Sequence, residues 1–220
     1  MKSSPILAFS ITALLFCTHA SATIVSGNVT GGTSATQGGS FIKLSTPFTD
    51  SNPDNTVGND NFQTPNLYGF DEGQNITLTA DINVDLLAST GTAGIISQGG
   101  TVASHYIFFD PASFTTQQGT VSFDSNIFGI ITSSNNLIAS NFLANTNVSY
   151  LNSNLLGLEG GDTVSISDPK TISVNWAAGT PGDYIRVLTD YSPAAVPVPA
   201  AFWLFASSLL GFLGFRRKTA

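Results

Sequence analysis

His105 is the only histidine after residue 22, and it sits in the run Ser104-His105-Tyr106. An imidazole there could act as a lone general base. No GxSxG, HExxH or glycine-rich phosphate loop accompanies it to supply a nucleophile, a zinc ligand set or an anion cradle. The expected setting is therefore a strand histidine that is partly buried or hydrogen-bonded, and no catalytic residue is assigned. Glu159 and Asp162 lie close together after a turn. A glycosidase needs two carboxylates about 5 to 9 Å apart in a cleft, whereas a solvated loop accounts for this pair without chemistry. Asp50, Asn52, Asp54, Asn55, Asn59 and Asp60 crowd one segment, and a calcium ion takes roughly six to eight oxygen ligands from such groups. The spacing departs from an EF-hand: the twelfth place from Asp50 is Asn61 where a glutamate is required, and the sixth is Asn55 where a glycine is required. Asx-rich turns also form without metal. No cofactor is expected, with calcium at Asp50, Asp54 and Asp60 the one ligand left open. Asp71-Glu72 before Gly73, and Asp110 before Pro111, read as turn residues.

The elements that must carry these residues are strands. Over residues 76–86, Ile76, Leu78, Ala80, Ile82, Val84 and Leu86 alternate with Thr77, Thr79, Asp81, Asn83 and Asp85, the period of a strand with one wet face. Further strands are predicted at 102–109, 120–123, 128–131, 147–151, 163–166, 171–176 and 184–188. In the 171–176 segment, Trp176 shares the parity of Ile172 and Val174, which points it to the core. About eight short strands separated by Gly-Gly, Asp-Pro and Pro-Gly predict an all-β domain, an antiparallel sandwich or jelly roll. No short internal repeat supports a β-helix. Residues 27–39, rich in Gly, Ser and Thr, read as a flexible leader, and 50–61 as a long polar loop.

Both chain ends read as targeting segments. Lys2 gives a positive start, Ile6 to Phe16 an apolar run, and Ala20-Ser21-Ala22 an A-x-A cleavage site that would leave Thr23 as the first residue. Cys17 is the only cysteine and would leave with this segment; Phe16 stands where a lipobox needs a small residue. At the other end, Val196-Pro197-Val198-Pro199 should be extended and exposed, because proline fixes φ and lacks a backbone donor. The 200–215 segment is apolar and would span about 24 Å as a helix at 1.5 Å per residue, slightly short of a hydrocarbon core of roughly 30 Å. Arg216, Arg217 and Lys218 follow and would cover the difference by snorkelling. The same cations orient the C-terminus to the cytoplasm. The chain thus divides into a signal peptide (1–22), an extracytoplasmic β domain (23–193) and a tail (194–220), with an ordinary tail anchor as the alternative reading of the last part.

Residues 196–218 resemble the PEP-CTERM sorting signal of Gram-negative bacteria: Pro-x-Pro, a short transmembrane helix and a basic cluster. Ala200-Ala201-Phe202-Trp203-Leu204-Phe205, followed by Gly211 and Gly214, fits the subtype written roughly VPxPAAxWLFxSxLLGLxG. Val198 departs from the glutamate of the family's name-giving pattern, so cleavage after a glutamate does not carry over. Pro197, Val198, Pro199, Trp203, Gly211, Arg216, Arg217 and Lys218 are the residues that the resemblance marks as the signal. It implies recognition by the membrane protease-transpeptidase exosortase, after export through the Sec translocon and cleavage by signal peptidase. Residues 100–111, 119–124, 157–159 and 181–187 are similar to a block found in uncharacterised proteins carrying this tail, a likeness that implies a shared fold and no activity.

All fourteen acidic residues lie between Thr23 and Pro193, whereas only Lys43, Lys170 and Arg186 remain there as cations; three minus fourteen gives −11. Nucleic acid is excluded as a partner on charge. Two functional classes remain. One is a non-catalytic exported protein, held at the inner membrane as a precursor and then placed in the envelope or the exopolysaccharide matrix of a biofilm. The other is a carbohydrate-binding or glycan-hydrolysing module delivered by the same tail, which would need an aromatic platform or carboxylate pair on one face.

Overall fold

Residues 22–191 are described by a computed structural model, and they form one compact unit of short strands. In chain order these are β1 (Ile24–Gly31), α1 (Gly32–Thr36), β2 (Phe41–Lys43), β3 (Thr56–Val57), β4 (Leu67–Asp71), β5 (Ile76–Thr77), β6 (Ile82–Leu87), β7 (Thr92–Ile96), β8 (Thr101–Phe109), β9 (Thr115–Phe123), β10 (Ile127–Ile131), α2 (Ser134–Ala139), β11 (Ser149–Tyr150), β12 (Thr163–Asp168), β13 (Thr171–Ala178) and β14 (Asp183–Asp190). One sheet has the order β1-β9-β13-β12; the larger has the order β2-β4-β8-β14-β10-β6-β7, with β5 also on β8. Most pairings are antiparallel, as expected, but β2–β4 and β3–β11 are parallel, so the architecture is mixed rather than wholly antiparallel.

The two sheets face each other across Ile24, Ile107, Phe109, Val121, Ile172, Val174, Trp176, Ile185 and Val187, all buried. Trp176 takes the predicted place in this layer. The opposite face of the larger sheet is covered by the 44–66 and 137–156 segments, which trap an aromatic group of Phe48, Phe62, Tyr68, Phe70, Tyr106 and Phe108. β8 and β14 are consequently buried on both faces. Their near-continuous apolar composition follows from that, since neither side of the strand meets water.

Two expectations are corrected here. Residues 27–39 are not a flexible leader: most of the segment is β1 and α1, and β1 pairs with β9 along its length. It lacks an alternating apolar pattern because the backbone ladder, not side-chain burial, holds it. Gly27 is required where the Phe41 ring lies flat on it, since an added Cβ would come within 2.4 Å of that ring. Residues 76–86 are not one strand but β5 and β6, separated at 78–81. Leu78, Ile82 and Val84 are buried as predicted, while Ala80 is exposed.

Candidate functional site

Asp71 and Glu72 are consecutive, so the pleat of β4 sends their side chains to opposite faces of the larger sheet. Neither is a solvated turn residue. Between the sheets, the Asp71 carboxylate accepts the backbone N–H of Ile24 at 3.0 Å and the hydroxyl of Thr23 at 2.7 Å, and pairs with Lys43 Nζ at 2.8 Å. His105 Nδ1 stands 2.8 Å from Asp71 Oδ1 and its Nε2 is 3.0 Å from Thr189 Oγ1. Burial pushes the Asp71 carboxyl up, but the His105 hydrogen bond and charge, with Lys43 and Thr23, hold it well below the usual carboxylate range. Hydroxyl, imidazole and carboxylate thus stand in the order of a nucleophile relay. Yet His105 and Thr189 are both fully buried, so no substrate atom can reach the hydroxyl. The arrangement acts as a clasp that ties β1, β2, β4, β8 and β14 together.

On the other face, Glu72 accepts two hydrogen bonds from Arg186, from Nε at 2.7 Å and Nη2 at 3.0 Å. Its oxygens also accept Ser104 Oγ and Tyr150 Oη, each at 2.6 Å. Arg186 Nη1 donates to Leu137 O and Ser140 Oγ, at the end of α2, and the guanidinium lies over the Tyr106 ring at 5.7 Å. Both side chains are essentially without solvent exposure. A bidentate pair with its remaining donors and acceptors filled is the form in which a buried ion pair is tolerated. Sequence reading passed over this network, although an arginine inside the apolar run Tyr184-Ile185-Arg186-Val187-Leu188 was the available signal. Such a charge must find a partner if the strand is buried.

A third group of carboxylates gathers where β8 ends and β14 begins. Asp110, expected in a turn, is fully buried; its Oδ2 accepts the Phe62 N–H at 3.1 Å while Oδ1 has no partner among the described residues. Burial and the neighbouring Asp60 push it up to about 6, against the Phe62 N–H. Asp183 is also buried, with Oδ2 unpartnered. Glu159 is exposed, and Asp162 accepts the Ala177 N–H at 2.7 Å. Burial together with the charges of Asp162 and Glu159 pushes Asp183 up to about 8.

The Asp183 position has a consequence for pH. The folded carboxyl keeps its proton where the unfolded one, near 3.8, has lost it, so the native state binds more protons and stability falls as pH rises from about 4 to 8. The limit for one group is about 1.4 kcal/mol per pH unit. Asp183→Asn is expected to change stability little at pH 5 and to raise it by about 2 kcal/mol at pH 9. Urea titrations at pH 5, 7 and 9 measure this. A decline toward pH 9 that is as steep in the variant as in the parent would assign it to other groups.

Of the proposed calcium residues, Asp50 and Asp54 are exposed and Asp60 is half-buried. Among the described residues no group of three or more histidine, cysteine or carboxylate side chains is placed to hold a metal ion. Of the proposed cleavage residues, Ala22 and Thr23 are described, and Ala20 lies outside the described residues. So do Pro197, Val198, Pro199, Trp203, Gly211, Arg216, Arg217 and Lys218. Among the described residues no helix is long and apolar enough to cross a membrane. No protein-family profile matches the chain, and no curated protein or solved structure is significantly similar to it.

Proposed function

We propose that this chain is an exported, non-catalytic β-domain protein whose tail is processed by exosortase, delivering the domain to the envelope or exopolysaccharide matrix. The order Pro-x-Pro, apolar run and basic cluster over residues 196–218 carries this reading. Geometry at the other end supports it. Thr23, the residue left first by cleavage after Ala22, has its backbone nitrogen 2.8 Å from Asp124 Oδ1 and its hydroxyl on Asp71. A new terminal ammonium would therefore meet a carboxylate already in place. Ala22 is buried, so the cut belongs before folding, as translocation of an unfolded chain requires.

Surface chemistry favours this over a glycan-binding or glycan-hydrolysing module. Trp176, Tyr68, Tyr106 and Tyr184 are buried and Tyr150 is half-buried, which leaves Tyr191 as the exposed tyrosine of the described residues.

Intact-mass analysis of the protein from an exosortase-competent host is expected to show an N-terminus at Thr23 and a C-terminus between Pro197 and Ala200. Deleting the exosortase should leave the whole tail in the membrane fraction. Mature protein that keeps Arg216 to Lys218 in competent cells would instead make the tail a permanent anchor.

A further inference from the structure

Three side-chain oxygens without hydrogen-bond partners occur around one loop: Asp60 Oδ1, Asn61 Oδ1 and Asp110 Oδ1. Asp110 is fully buried and Asn61 is 6% exposed. The other polar atoms of Asp110 and Asn61 are each held by a hydrogen bond. Phe62 N–H fixes Asp110 Oδ2 at 3.1 Å, and Asn61 Nδ2 donates to Asn52 O at 2.7 Å, so the orphaned atom of each is the one left over. Asp60 and Asn61 directly precede Phe62, and the Asp60 carboxylate is close enough to Asp110 to repel it. Gly182 packs closely against Asp110; a Cβ there would come within 2.6 Å of Phe109 O and 3.3 Å of the Asp110 Cβ.

A buried carboxylate oxygen with no donor is costly, and three acceptors around one loop without a hydrogen bond of their own match what a cation supplies; the Tyr184 hydroxyl beside Asp110 donates to Pro181 O at 2.7 Å. From this geometry we infer that Asp60, Asn61 and Asp110 form a binding site for a hard divalent cation, calcium by preference. The ligands are all oxygen, two carboxylates balance a double positive charge, and an irregular loop suits calcium's variable coordination better than the strict octahedron of magnesium. Asp50 and Asp54, the residues that composition alone suggested, are replaced by Asn61 and by Asp110 from the far end of β8. The site goes beyond the sorting proposal and does not depend on it.

Terbium is the probe, because the Tyr184 hydroxyl lies beside Asp110 and can sensitise its emission. With the full-length chain in detergent, tyrosine excitation is expected to give saturable terbium luminescence that calcium displaces at lower concentration than magnesium. Extracellular calcium modules bind with Kd near 10⁻⁴ to 10⁻³ M, so 10 mM calcium over EDTA should raise Tm by about 3 to 10 °C. Asp60→Asn and Asp110→Asn should abolish both responses, and Asp54→Asn, in the exposed part of the same loop, should keep them. If Asp110→Asn does not fold, the half-exposed Asp60→Asn decides alone. No calcium shift in the parent chain overturns the inference, as does a shift that survives Asp60→Asn unchanged.

Discussion

Arg186→Met is expected to lower the stability of the domain by about 3 to 5 kcal/mol, the cost of leaving one member of a buried ion pair without the other. Glu72 would keep the hydroxyls of Ser104 and Tyr150 but lose both guanidinium bonds, with no water to replace them. Leu137 O and Ser140 Oγ would lose a donor in the same step. Because small domains are stable by only about 5 to 15 kcal/mol, the variant should unfold at markedly lower urea. Arg186→Lys keeps the charge but not the fork, and should still cost about 2 kcal/mol. Glu72→Gln combined with Arg186→Met should cost less than the two single changes added together, since the second removes a charge that the first has already orphaned. Urea unfolding followed by intrinsic fluorescence measures all four proteins. A loss under 1 kcal/mol in Arg186→Met would mean that the pair is solvated in solution.

The second large effect is expected at Ile82→Asp. Ile82 is 5% exposed and belongs to the buried cluster that includes Leu78, Val84 and Val102. An unpaired carboxylate there should cost several kcal/mol and prevent folding. Asp81→Asn, one residue away and exposed, keeps an oxygen to accept the Gln98 N–H that Asp81 accepts at 2.8 Å, so it should change stability by no more than about 0.5 kcal/mol. Circular dichroism of the two variants distinguishes these outcomes. Equal tolerance would show that this face of β6 is not buried.

The same segment shows what was legible in the residues and what was not. Alternation over 82–84 placed Ile82 and Val84 inward and Asn83 outward, as the structure has them. The same rule put Asp85 on the wet face, yet its carboxylate accepts the backbone N–H groups of Thr132 and Ser133 and the side chain of Asn136, capping α2 from a neighbouring strand. Period-two patterning reports which way a side chain points, not what stands opposite, and here the irregular layer supplied a helix end. Asp71, Glu72, Asp110 and Asp183 were obscured for a related reason. Each is a polar residue at a strand end, where turn chemistry and buried pairing look alike until the partner strand is known. The Asp50 to Asn61 composition marked a polar loop but not which of its oxygens are buried without a hydrogen bond. Asn61 carried no signal of its own, and Asp110 is remote in sequence.

The position of β14 has a consequence for the time at which the domain can fold. It is the last strand of the described residues and lies inside the larger sheet between β8 and β10. Without it, β8 loses its longest partner and the β10-β6-β7 group is severed from the rest. Arg186, which pairs with Glu72, arrives on the same strand. The larger sheet therefore stays open and incomplete until Asp190 is present, whereas the β1-β9-β13-β12 sheet has all its strands before β14. In a chain that appears N-terminus first, the larger sheet closes only when residues 183–190 have followed the strands that flank them.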